Sequence, residues 1–104
     1  MKILDKMIDC LHEEVEGARE YAEKYIDSKA KGNIPRANKY KEMANDELKH
    51  ASYLRDFAIS DAESIKHVHP LSEEEATAWE HAHRRLNDEI AMIHHLLSNP
   101  EFPN

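Results

Sequence analysis

The sequence predicts an all-α protein, a long antiparallel helical hairpin followed by a third helix. Apolar residues recur at three- and four-residue steps in three long segments, and no segment alternates as a strand would. Composition agrees, with only two Gly and four Pro in 104 residues, 40% hydrophobic and 34% charged. The segments are also bounded by recognisable helix stops and starts. A chain of 104 residues is read as one domain (1–104) with one modest core.

The first helix is expected over about 3–31. It carries Leu4, Met7, Ile8, Leu11, Val15, Ala18, Ala22, Tyr25 and Ile26 at helical spacing. Gly32-Asn33 ends it, because Gly accepts the left-handed conformation that closes a helix and Asn tolerates the turn. A second helix begins around Pro35, whose fixed φ suits a first turn, and runs to about 65. Its apolar positions are Ala37, Tyr40, Ala44, Ala51, Leu54, Ala58, Ala62 and Ile65. These two helices, each about 40 Å long, are joined by a very short turn and so form the hairpin, about 3–65. His67, His69 and Pro70 belong to a loop. The third helix, about 72–98, opens on Ser72-Glu73-Glu74-Glu75, a capping box, and its stripe is Trp79, Ala82, Leu86, Ile90, Ile93 and Leu97. The tail from Asn99 is expected to be irregular.

Charge and cysteine usage exclude several functions. Lys plus Arg total 14 against 21 Asp plus Glu, a net charge of −7 with no basic block. Such a chain is a poor binder of nucleic acid or of anionic membranes. Apolar runs fall far short of a membrane span, and the first residues carry no signal-peptide core, so the expectation is a cytoplasmic protein. Cys10, the one cysteine, excludes an internal disulfide, a four-cysteine zinc site and an iron–sulfur centre held by a single chain.

The residue out of place is Glu47, in Glu47-Leu48-Lys49-His50. On a 3.6-residue wheel Glu47 falls within about 20° of the centre of the second helix's apolar arc, with His50 at its edge. A carboxylate aimed into a core costs several kcal/mol unless something pairs with it. A metal ion suits a Glu and a His three residues apart on a helix. A second carboxylate at the same height must then come from the first helix. Glu13 and Glu20 point away from its apolar arc and Glu16 lies outside it, whereas Glu14 stands about 70° from its centre. Glu14 misses the height of Glu47 by only about half a turn, an offset a hairpin tolerates. The candidate metal ligands are therefore Glu14, Glu47 and His50.

Two inward Glu and one His are half of a carboxylate-bridged di-metal site, which takes four Glu and two His from four helices. An isologous two-fold dimer of hairpins would double each ligand and complete the set. The predicted assembly is a homodimer, or a larger even-numbered homo-oligomer, that forms a four-helix bundle.

Glu14 followed by Glu47-x-x-His50 on a long hairpin resembles the ferritin-like superfamily, near rubrerythrins and the small half-ferritins that build their site across a dimer. The resemblance covers roughly residues 3–65. It implies Glu47 as bridging carboxylate, Glu14 as terminal or chelating ligand, and His50 as nitrogen ligand. It implies Fe(II), two ions per dimer-shared site, with Mn(II) as the alternative metal. The activity implied is oxidation of the ferrous pair by dioxygen or peroxide, or iron handling. The chain departs from the family in two ways. A second Glu-x-x-His, Glu80 and His83, lies on the third helix with no fourth helix after it, and is the weaker candidate ligand pair. The cysteines of a rubredoxin-type domain are missing. The competing reading is a metal-free acidic helical module that dimerises or docks a partner, with Glu47 salt-bridged to Lys24, Lys39 or Arg55.

Overall fold

The computed structural model describes residues 2–68 and 70–98, with side chains from Asp5 onward except at positions 66 and 67. The readings of His69, of the tail and of the His67 side chain lie outside the described residues. Three helices follow in order, α1 (Lys2–Ala30), α2 (Ile34–Val68) and α3 (Glu73–Ser98), with no strand among the described residues.

The turn between α1 and α2 is built by Gly32 and Asn33. Gly32 has φ +79°. Its N–H donates to the Lys29 carbonyl at 3.0 Å, and the Asn33 N–H donates to that of Ser28 at 2.9 Å. That pair of bonds is a Schellman closure, which satisfies carbonyls the helix end would otherwise orphan. Asn33 then starts α2: its Oδ1 accepts from the Arg36 N–H at 3.3 Å, and its carbonyl accepts from that of Ala37 at 3.0 Å. Gly32→Ala is expected to cost about 1 kcal/mol, read as a lower urea midpoint. A Cβ there meets nothing within 4 Å, so the cost is backbone conformation and not a clash.

α2 runs to Val68 rather than stopping near 65, so His67, expected in a loop, has helical backbone. Pro70 then prevents further extension. The capping box forms as expected: the Glu75 N–H donates to Ser72 Oγ, and the Ser72 N–H donates to Glu75 Oε1, each at 3.1 Å.

α1 and α2 meet through small side chains. Ala18 and Ala22 on α1 and Ala37, Ala44, Ala51 and Ala58 on α2 are all at most 1% exposed, which lets the two backbones approach closely. Leu11 and Val15 fill the lower part of this seam with Leu48. α3 lies along α1 of its own chain and closes one side of the seam with Leu86, Ile93 and Leu97. It is tied to α2 where Arg55 Nη1 donates to Asn87 Oδ1 at 2.9 Å. The result is a rod, 54 × 18 × 16 Å. Among the described residues no helix is long and apolar enough to cross a membrane.

Candidate metal centre

Glu14, Glu47 and His50 come together as the sequence predicts. Each offers one ligand atom, and the three atoms lie within 4.8 Å of one another. His50 Nδ1 stands 3.7 Å from Glu14 Oε2 and 4.0 Å from Glu47 Oε1. The Glu14 and Glu47 side chains are 31% and 29% exposed and His50 is 58% exposed, so the group sits at the rim of the hairpin seam and opens outward.

The helix register explains that placement. On α1, Leu11, Val15 and Ala18 point into the seam, and Glu14, one turn above Leu11, stands on its border. On α2 the fully buried line runs through Ala44, Leu48 and Ala51. Glu47 is therefore beside the core line and not at its centre, which corrects the position read from the wheel. The apolar set read from the sequence left out Leu48, which is 4% exposed, and counted Tyr40 and Leu54, which are only half-buried, and both choices moved the apparent centre toward Glu47.

Gly17, which sequence reasoning passed over, gives Glu47 its place. A Cβ built on Gly17 would stand 3.3 Å from Glu47 Oε2 and 3.8 Å from its Cδ. The Glu47 carboxylate thus lies against bare α1 backbone, one turn above Glu14. The available signal was a glycine in the interior of a long helix, which costs about 1 kcal/mol relative to alanine and so marks a close approach. Gly17→Ala is expected to raise stability by up to about 1 kcal/mol while weakening metal binding, because the new methyl pushes the carboxylate aside. Thermal unfolding and a metal titration on the same sample separate the two effects.

Two carboxylates this close are electrostatically unsettled. Glu14 Oε2 is buried with no donor to accept from. The neighbouring Glu14 carboxylate, as a hydrogen-bond acceptor, is the largest cause holding the Glu47 carboxyl above its ordinary range. Partial desolvation and the Glu14 and Asp46 charges add to it, and His50 opposes it. A divalent cation would neutralise both carboxylates and could take the imidazole nitrogen as well. Ligands about 2.1 Å from a transition ion stand roughly 3.0–3.5 Å from one another, and rotation of three partly exposed side chains closes the remaining gap. The donor set is oxygen-rich with one nitrogen, which suits Fe(II) or Mn(II) and not a thiolate-seeking metal.

The other candidates lie on α3, apart from this group, and His83 Nδ1 is buried there without a hydrogen-bond partner. Glu80 pairs with Arg84 at 3.3 Å on the exposed side of α3. The His83 ring stacks on Trp79 at 5.6 Å, and its Nε2 is 3.3 Å from Asn87 Nδ2. Neither joins the Glu14, Glu47, His50 group, because the packed side of α3 is apolar and turned toward α1. The cations that a salt-bridged Glu47 would need are also occupied. Lys39 pairs with Glu42 at 3.4 Å, Arg55 holds Asn87, and Lys24 lies over the Tyr21 and Tyr40 rings. No known protein family, no curated protein and no solved structure matches the chain.

Proposed function

We propose that this chain is a di-iron carboxylate protein that binds Fe(II) at a site shared by two copies, with ferroxidase- or peroxidase-type or iron-handling activity. One observation carries the reading: Glu14, Glu47 and His50 converge within 4.8 Å, with a carboxylate oxygen buried and unpartnered among them. That oxygen accepts no hydrogen bond, and a cation bound between the two carboxylates would satisfy it. The group offers two carboxylates and one imidazole, half of what a two-ion site takes, so the reading requires a symmetry mate.

In this reading Glu47 would bridge the ions, Glu14 would bind from the facing helix, and His50 would supply the nitrogen. A bound metal would have to displace the proton that the raised Glu47 carboxyl holds, so affinity should fall as pH falls. Bound as a pair, ferrous ions supply electrons to dioxygen or peroxide. Manganese(II) is the other metal the donors suit. The alternative, a metal-free interaction module, loses its main support because Lys24, Lys39 and Arg55 are turned to other partners. A cytoplasmic setting belongs to the same proposal, since the single exposed thiol of Cys10 calls for no oxidising compartment.

The test is an anaerobic Fe(II) titration of metal-free protein with native mass recorded alongside, followed by admission of air. Expected are about one iron per chain in an even-numbered assembly, a ferric absorbance rise in air, and loss of both in Glu47→Ala. No binding, with a mass the same with and without metal, would overturn it.

A further inference from the structure

We infer that the turn end of the hairpin is a docking site for an acidic patch on another protein, held by cations that the fold gathers around Tyr21, Tyr25 and Tyr40. This surface lies apart from the Glu14, Glu47, His50 group and does not depend on the metal reading.

Charge is unevenly spread along the chain. Six of the 14 Lys and Arg fall between residues 24 and 41, as Lys24, Lys29, Lys31, Arg36, Lys39 and Lys41, against one of the 21 Asp and Glu, Asp27. That stretch carries +5 and the remainder −12. No basic run marks these residues in the sequence, and the turn at Gly32-Asn33 brings the two halves of the stretch together. α3 stops short of them. Arg55 lies 13 residues before the end of α2, and its partner Asn87 lies 14 after the start of α3, so the two helices run antiparallel. From that contact α3 continues 11 residues to Ser98, whereas α2 extends 21 residues back to Ile34. At 1.5 Å per residue, roughly the last 15 Å of the hairpin stands beyond α3.

Most of these cations are positioned without being neutralised. Lys24 Nζ stands over the stacked Tyr21 and Tyr40 rings, 5.7 and 5.8 Å from their centroids. The buried Tyr25 ring has Lys29 Nζ at 5.5 Å and Lys41 Nζ at 5.8 Å, one from each helix, and its hydroxyl accepts from Lys29 at 3.2 Å. Among the described residues Lys31 and Lys39 pair with Asp27 and Glu42, while Lys24, Lys29, Arg36 and Lys41 meet no carboxylate. Ammonium groups sharing one ring repel each other, and an anion relieves that repulsion. Side chains already held on aromatic rings also lose less freedom when a partner arrives. The surroundings select a protein patch. No large apolar side chain within 24–41 is exposed, so nothing here would enter a bilayer beside the charges. Glu20, Glu23, Glu42 and Asp46 border the stretch, and a long polynucleotide would meet them as well as the cations. The rod is only 18 × 16 Å across, so a compact acidic patch fits and the contact is small, transient and sensitive to salt.

The test is a titration of the metal-free chain with a synthetic peptide of alternating Glu and Asp, followed by backbone amide shifts at low salt. Expected are shifts confined to residues 24–41 and an affinity that weakens about tenfold on raising salt from about 20 to 200 mM. Arg36→Glu with Lys39→Glu, both exposed, is expected to weaken binding by at least about tenfold with helix content unchanged by circular dichroism. Lys49→Glu with Arg85→Glu makes the same change in net charge away from the turn and is expected to bind as the parent does. Equal loss in both double variants would reduce the effect to net charge and overturn the site. No binding, or shifts spread along the whole rod, would also overturn it. Tighter binding to phosphatidylserine vesicles or to single-stranded oligodeoxythymidine than to the peptide would replace the protein partner by a lipid surface or a nucleic acid.

Discussion

Glu47→Ala is expected to abolish Fe(II) binding and leave the metal-free chain at least as stable as its parent, within about 1 kcal/mol. An ordinary half-buried glutamate that loses a salt bridge would destabilise the fold. Glu47 instead faces Glu14, and removing it relieves repulsion between two carboxylates and frees Glu14 Oε2 from an unfavourable neighbour. On the proposed reading, metal binding would lose the bridging ligand in both copies, a loss well beyond the ~10–100-fold that follows when only a ligand's supporting hydrogen bond is removed. His50→Ala is expected to lose binding as well, with its exposed ring contributing little to stability.

The pH dependence of stability gives an independent check on the same pair. Because the folded state holds the Glu47 carboxyl above its ordinary range, the folded chain binds more protons there than the unfolded chain does. The stabilisation from this group is complete below the ordinary carboxylate range and is lost as pH rises through the folded-state value. Urea unfolding of chelator-treated protein across pH 4.5 to 8 should therefore show Glu47→Gln gaining on the parent as pH rises. A difference that stays constant with pH would remove the account of a raised Glu47 carboxyl.

Leu86→Ala is the largest stability effect expected, a loss of about 2–5 kcal/mol from the ~5–15 kcal/mol available to a small domain. Leu86 is 2% exposed and sits midway along the stripe by which α3 closes the seam. Among the described residues no other helix backs α3 on its outer side, so little can collapse into the space left behind. Trp79, the chain's one tryptophan, rides on α3 against His83 and reports its release by fluorescence, while circular dichroism follows the whole chain. Iron binding by the fraction still folded should match the parent, since α3 supplies no residue to the triad. A variant with an unchanged urea midpoint would show that α3 does not hold this side of the core.

Particular residues show which parts of this protein could be read without its tertiary structure. Gly32, Asn33, Ser72 and Glu75 act within a few residues of themselves, so the helix ends they make were legible. Glu14 was legible because a single angle, its distance from Leu11 and Ala18, separated it from Glu13, Glu16 and Glu20. The position of Glu47 was misread by part of a turn, since the buried Leu48 was left out of the apolar set while the half-buried Tyr40 and Leu54 were counted in it. Gly17 was missed because its role exists only when Glu47 of the facing helix lies across it. Glu80 and His83 have the same spacing as Glu47 and His50, and spacing carries no information about which side of α3 is turned to α1.

The sequence by itself determined three helices, their ends, the short turn that makes two of them antiparallel, and the three side chains that share one height on the hairpin. These are properties of local hydrogen bonding and of a 3.6-residue period. Tertiary structure alone decided which apolar face of the hairpin α3 covers, which face stays open, and how near Glu14, Glu47 and His50 come to one another. Those outcomes depend on competition between helix faces for the same partner surface, and the periodicity of each helix is the same whichever face wins.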